Sequence, residues 1–201
     1  MKVASVIGRS FLVRTLGAVY PKPIEDSDLR EHLDDTSMRQ LTELEAVDPE
    51  PSFAFRHVVT QQVAYETLLF TQRRGLHRGV AAWYETVYEG NLSLHHPLLA
   101  FHWNRAGNAE SECHYTLLAG AQAAKQYANA EAKVYFTRAL ELFDELDRDR
   151  TSDRRFDTLG RRARVNALLG SVDEERTDLE SMLAVAELSR DVSQQGEAQL
   201  L

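Results

Sequence analysis

Between Phe53 and Leu69 the hydrophobic period changes from two to about 3.6, and that switch limits the folds open to this 201-residue chain. Phe53 and Phe55 alternate around Ala54, the pattern of a short half-buried strand. From Val58 onward, Val59, Val63 and the run Tyr65 to Leu69 recur at helical spacing, so a strand feeds directly into an amphipathic helix. Upstream, Leu41 to Leu44 alternates apolar with polar residues, and Asp48-Pro49-Glu50-Pro51 is a turn signal. A two-stranded hairpin is marginal alone, so Phe53 and Phe55 are expected to bury at least one ring against helices.

Those helices are legible before and after the hairpin. Lys2 to Gly8 places Val3, Val6 and Ile7 at helical spacing, with Gly8 as the stop. A second helix, capped by Ser10, is expected to carry Phe11, Leu12, Leu16 and Val19 and to end before Pro21. A third, capped by Asp26 or Ser27, carries Leu29, Leu33 and Met38. The helix from Val58 is expected to reach Phe70. It is followed by one from about Gln72 to Tyr88, with Leu76, Val80, Tyr84, Val87 and Tyr88 as its apolar positions, broken at Glu89-Gly90-Asn91. Pro97 suits the first turn of a helix to Ala106, with Gly107 beyond its end.

A repeat pattern follows. With Ala139 as the last small residue of a tetratricopeptide (TPR) unit, Phe136, Ala132 and Gly120 stand three, seven and nineteen positions before it, as that motif requires. Small residues let paired helices approach, and the large Phe136 fills the groove between them. A degenerate second unit runs from Gly170 through Leu179, Met182, Leu183 and Ala186, with Glu175 where Ala132's counterpart would be. Gly170 lies 43 residues after Tyr127, an excess over the usual roughly 34 that is assigned to a charged connector, Asp147 to Arg155. Ser193 to Leu201 reads as the start of a third unit, so the chain is expected to be a fragment whose apolar end favours self-association.

The phrase Phe53-Ala-Phe-Arg56-His57 with Gln61, Val63-Ala-Tyr65-Glu66 and Leu68-Leu69, then Arg73-Arg74-Gly75-Leu76-His77, resembles a signature of the STAND-type signalling ATPases, especially those fused to class III adenylate/guanylate cyclases. Lys2 to Phe11 and Leu98 to Gly107 are similar to further phrases of that family, and Gln62 departs from its usual Glu or Asp. The resemblance is specific over Val3 to Ala139. It implies a mostly α chain: a winged-helix-like domain over 1–70 (three helices plus a short hairpin), connecting helices over 71–110, and TPR-like repeats over 111–201, about two with a third truncated. It also implies structural roles for Phe53, Phe55, Arg56, His57, Gln61, Tyr65, Glu66, Arg74 and His77. The repeat core is Gly120, Ala132, Phe136 and Ala139. ATP and Mg would belong to a domain upstream of Met1.

Chemistry within the chain itself is sparse. It contains no G-x-x-x-x-G-K-[ST], H-E-x-x-H, C-x-x-C or G-x-S-x-G motif, so no catalytic, cofactor-binding or metal residue is assigned. His95, His96 and His102 with Cys113 and His114 could be drawn as a metal site, but adjacent histidines on a helix point about 100° apart. The alternative has His102 packing beside Trp103. For His57 and His77 the structural alternatives to proton transfer are a strand–helix junction and packing beneath Arg73 and Arg74. Arg73, Arg74 and Arg78 read as a solvated face paired with acids.

Charge bears on partners. With 23 basic and 31 acidic residues the formal charge is −8, a poor footprint for nucleic acid or an anionic membrane. The third helix, which a DNA-binding winged helix would present, holds two basic against four acidic residues across 28–39. No stretch approaches the roughly 18 apolar residues of a membrane span, Met1 to Val6 lacks a signal-peptide run, and the single cysteine, Cys113, rules out an internal disulfide. The expectation is a cytoplasmic, non-catalytic regulatory segment. It would relay nucleotide state from an upstream NTPase domain to a TPR-like surface that binds a protein or peptide, with no nucleic-acid or membrane partner. A DNA-binding transcriptional regulator is the alternative.

Overall fold

The computed structural model describes residues 1–47, 50–146 and 148–189, and at 148–151 and 188–189 the backbone alone. The fold is mostly α: ten α-helices and one three-stranded sheet among the described residues. Backbone contacts divide the chain into two compact units, one of Met1–Leu92 with Arg105–Gly107, the other of Ser93–Asn104 and the chain from Asn108 on.

In the first unit the order is α1 (Lys2–Ile7), β1 (Ser10–Leu12), α2 (Val13–Ala18), α3 (Asp26–Met38), β2 (Thr42–Ala46), β3 (Ser52–Phe55), α4 (Val58–Glu66) and α5 (Phe70–Val87). The strand order is β1-β3-β2, both pairings antiparallel, with Phe11 opposite Phe53 and Thr42 opposite Phe55. β3 is therefore central, and more than half-buried: Phe53, Ala54 and Phe55 are all buried. Phe11 stacks on Phe53 at 6.5 Å and meets Phe55 edge-on at 5.8 Å, and Leu16, Leu29, Leu33 and Val80 complete this core.

Three expectations are corrected here. Ser10 does not cap a helix. Ser10 to Leu12 form β1, because a hairpin would leave the second edge of β3 unpaired. Arg9 O accepts from the Phe55 N–H at 2.9 Å and Pro51 O from the Val13 N–H at 3.0 Å, bracketing the pairing. α3 starts at Asp26, one or two residues earlier than expected, its N-cap residue is Glu25, with no side-chain cap bond, and Met38 is exposed. α4 stops at Glu66, and Phe70 opens α5 instead of closing α4. Leu44 is also exposed, while Thr42 is the buried member of β2, its hydroxyl 2.8 Å from that of Thr36.

A 3-10 segment, Glu89–His95, breaks the chain at the expected point, with Asn91 outside helical geometry. α6 (His96–Ala106) follows, and Gly107 takes φ +69 just past its end, as expected of a glycine stop.

The second unit continues with α7 (Ala109–Lys125), α8 (Asn129–Glu145), α9 (Arg148–Leu169) and α10 (Val172–Ser189), each packed on the next. The Asn108 side chain caps α7 by accepting from the Ser111 N–H at 3.1 Å. Ala132, Phe136, Ala139 and Phe143 are all buried along one face of α8. Gly120 explains the closeness of α7 and α8: a Cβ there would stand 2.9 Å from Phe136 Cε1 and 3.1 Å from Tyr135 Cβ.

Of the expected connector, the part from Arg148 to Arg155 is helix. α9 is helical from Arg148, so the long spacing between turns is taken up by a 22-residue helix. Arg, Asp and Ser there are compatible with a helix, and Phe156 and Leu159 anchor it in the core with Phe143 and Met182. Residues 48, 49 and 190–201 lie outside the described residues, and with them part of the expected turn and the expected third repeat.

Candidate functional site

Two groups of residues are candidates: the Phe53–His77 signature in the first unit and the α7–α9 face in the second. In the signature, α4 is turned opposite to its hydrophobic pattern. Val58, Val59 and Val63 are exposed, and the half-buried face carries Gln61, Ala64 and Tyr65. The inward polar groups are satisfied. Gln61 Nε2 donates to Ser5 O at 3.1 Å, fastening α4 to α1. The Tyr65 hydroxyl lies 3.1 Å from His77 Nε2, and the two rings meet edge-on. His77 is 1% exposed, and burial, helped by the Arg105 guanidinium, pushes its pKa down to about 4. Burial thus keeps the imidazole neutral, with the Tyr65 phenol against its Nε2.

Among the described residues Arg73 and Arg74 are engaged by backbone carbonyls and aromatic rings, where pairing with acids was expected. Arg73 lies over the Tyr65 ring at 4.7 Å and donates to Leu68 O (3.0 Å) and Glu66 O (2.9 Å), closing the C-terminus of α4. Arg74 donates through Nε to Ala106 O at 3.0 Å and through Nη2 to Gly107 O at 3.3 Å, doing the same for α6. A guanidinium suits these places because helix C-termini carry unsatisfied carbonyls and partial negative charge.

The rest of the signature is peripheral or core. Phe55 is fully buried and Phe53 nearly so. Arg56 is exposed, with Nε 3.8 Å from Glu43, and His57 is the exposed N-cap residue of α4 without a side-chain bond. Glu66 is exposed and accepts from Gln62 Nε2 at 2.9 Å, a contact that Glu or Asp at position 62 would make repulsive. The signature thus converges on a corner between α4 and α5.

In the second unit, Ala121, Ala124, Phe136 and Val165 floor a groove of about 340 Å³, with Lys125, Asp157, Arg161 and Arg164 on its rim. Sequence reasoning missed the groove's charged rim, and also two buried carboxylates that join the helices. Glu112 of α7 accepts from Asn104 of α6 at 2.9 Å and Arg138 of α8 at 2.8 Å. Asp178 of α10 accepts from Arg162 (2.6 Å) and Asn166 (3.0 Å) of α9, while Arg162 Nη1 reaches Thr137 of α8 at 3.0 Å. Glu112 and Arg138 are 26 residues apart and Asp178 and Arg162 are 16 apart, on different helices, a signal no single-helix pattern carries.

The histidine–cysteine cluster does not assemble. His102 and Cys113 are buried, burial pushes the Cys113 thiol up and His95 and His96 down, and no group of three or more metal-ligating side chains gathers among the described residues. No helix among them is long and apolar enough to cross a membrane.

Among known proteins, the chain is similar to an uncharacterized protein of Rhizobium meliloti (strain 1021), at 29% identity over 112 residues covering 51% of this chain. The matched stretch amounts to 10% of that relative's length. No family model matches, and no solved structure matches.

Proposed function

We propose that this chain is a non-catalytic regulatory and protein-interaction segment of the kind found in STAND-type ATPases associated with adenylate/guanylate cyclases. A winged-helix-like unit would lead into TPR-like repeats that bind a protein or peptide. The observation that carries this reading is the α7–α9 groove, an apolar floor with a polar rim beside the close-packed Gly120–Phe136 seam. The helix corner supports the relay part. Arg73 and Arg74 close helix ends, Gln61 ties α4 to α1, and the Tyr65–His77 contact ties α4 to α5, so a push on one helix would be passed to the next.

Under this reading ATP and Mg belong to an upstream NTPase domain that is also a partner, the segment is cytoplasmic, and self-association is expected at high concentration. A DNA-binding role is opposed by α3, whose Asp28, Glu31, Asp34 and Asp35 are all exposed while Arg39 is held by Asp35 at 3.0 Å.

A random-sequence peptide array tests the proposal. Reproducible peptides whose binding is lost when Ala124→Trp fills the groove support it, and an array with no such peptides overturns it. In parallel, the chain is expected to bind duplex DNA no better than an acidic control protein in fluorescence anisotropy. Submicromolar binding with a steep salt dependence would favour the transcriptional alternative.

A further inference from the structure

The charge of the α7–α9 groove is opposite to that of the chain. The protein carries −8 overall, yet the groove rim holds Lys125, Arg161 and Arg164 against the single carboxylate of Asp157. Arg161 holds that carboxylate at 2.8 Å. Lys125 and Arg164 enter no ion pair among the described residues, and both are exposed. Between these cations the floor is apolar and contoured by small side chains, Ala121 and Ala124, over the Phe136 ring.

A second feature stands at the end of the same groove. The turn between Lys125 and Asn129, both groove residues, holds Tyr127 at φ +59 and 86% exposed. Gly170 fills the corresponding turn between α9 and α10 at φ +72. A left-handed backbone favours glycine or asparagine. At Tyr127 a large aromatic stands against that preference, two residues after Lys125, with its ring in solvent.

We infer that the groove binds an acidic peptide segment of a protein partner, one that carries an aliphatic side chain between carboxylates. The inference rests on the peptide-binding reading above and names the class of peptide. An aliphatic side chain fits the Ala121–Ala124–Phe136–Val165 floor, flanking carboxylates meet Lys125 and Arg164, and the exposed Tyr127 ring is available to a peptide that runs on past Lys125. The size is right for this occupant, since about 340 Å³ holds a few side chains and not a folded domain. Charge separates it from nucleic acid. A short peptide's few carboxylates interact with cations in contact, inside the roughly 8 Å over which salt screens the remaining negative surface. A polyanion extending past the groove meets that surface directly.

The test is a titration of the full chain against fluorescein-labelled peptides of alternating Glu and Leu, Gln and Leu, or Lys and Leu, followed by anisotropy. The Glu/Leu peptide is expected to bind most tightly and to weaken as salt is raised. Lys125→Glu and Arg164→Glu are surface changes, checked by circular dichroism, and each should weaken it about tenfold, as truncated charge contacts do. Equal binding of the Gln/Leu or Lys/Leu peptide, lost in Ala124→Trp, would overturn the acidic assignment and leave the peptide-binding reading standing. Undiminished Glu/Leu binding in both charge-reversal variants would overturn the groove as its site. Displacement of the peptide by inorganic phosphate or a single-stranded oligonucleotide at equal or lower concentration would make this an anion site and overturn the proposal. Failure of every peptide, with an empty array, would overturn both readings.

Discussion

His77 makes the stability of the first unit depend on pH. Its imidazole is 1% exposed and takes a proton in the fold only near pH 4, against about 6.5 in an unfolded chain. Between those values the unfolded chain binds the proton and the folded chain does not, so stability rises with pH. The contribution is full above about pH 6.5 and is lost as pH falls towards 4, at about 1.4 kcal/mol per unit and up to about 3 kcal/mol in all. His95 and His96 are shifted in the same direction. Urea midpoints at pH 7 and pH 5 should therefore differ, and His77→Gln should shrink the difference without removing it. A pH response unchanged in that variant would mean that the Tyr65–His77 contact does not hold the neutral ring. Phe136 is the second residue whose loss should be felt. It is 1% exposed against Gly120, and Phe136→Ala is expected to cost about 3–5 kcal/mol in denaturant unfolding. Gly120→Val should also destabilise, because the added Cβ would stand 2.9 Å from the Phe136 ring and 3.1 Å from Tyr135 Cβ, so that both must shift.

At the scale of elements, helices with a clean apolar stripe were legible and those whose inward face is polar were misread. α8 showed itself through Ala132, Phe136, Ala139 and Phe143, all buried as expected. α4 did not, because periodicity counts valines and ignores Gln61 and Tyr65, whose hydrogen bonds make their burial favourable. Val59 offers a direct check. The hydrophobic pattern makes it a core residue, but it is 68% exposed, so Val59→Gln should change stability by no more than about 0.5 kcal/mol. A loss above 2 kcal/mol would restore the inward-facing α4. β1 was invisible for another reason. Ser10-Phe-Leu is three residues long and equally compatible with a helix start, and only the open edge of β3 decides between them. The groove rim could not be read either, since Lys125, Arg161 and Arg164 come from two helices and look like ordinary solvated charges in each.

Among the described residues the first unit holds a core built on Phe11, Phe53 and Phe55, and the second unit holds one cluster around Phe143 and Met182 and another around Phe136 and Val165. Each unit contains one of the chain's two tryptophans, Trp83 in the first and Trp103 in the second. Unfolding followed through Trp103→Phe reports the first unit and through Trp83→Phe the second. Phe136→Ala should lower the transition seen by Trp103 and leave that of Trp83 within about 0.5 kcal/mol, as expected for distant independent sites. Coincident shifts at both probes would make the chain a single cooperative body. The bond between Arg74 and the end of α6 has a consequence for inheritance. A Cβ on residue 107 would collide with the Arg74 guanidinium, at a backbone angle that already favours glycine. Loss of Arg74 removes the steric part of that demand, so a substitution at 107 should be found together with a shorter residue at 74 across descendants of this chain, and damage from a change at 107 should be partly suppressible by a shorter side chain at 74.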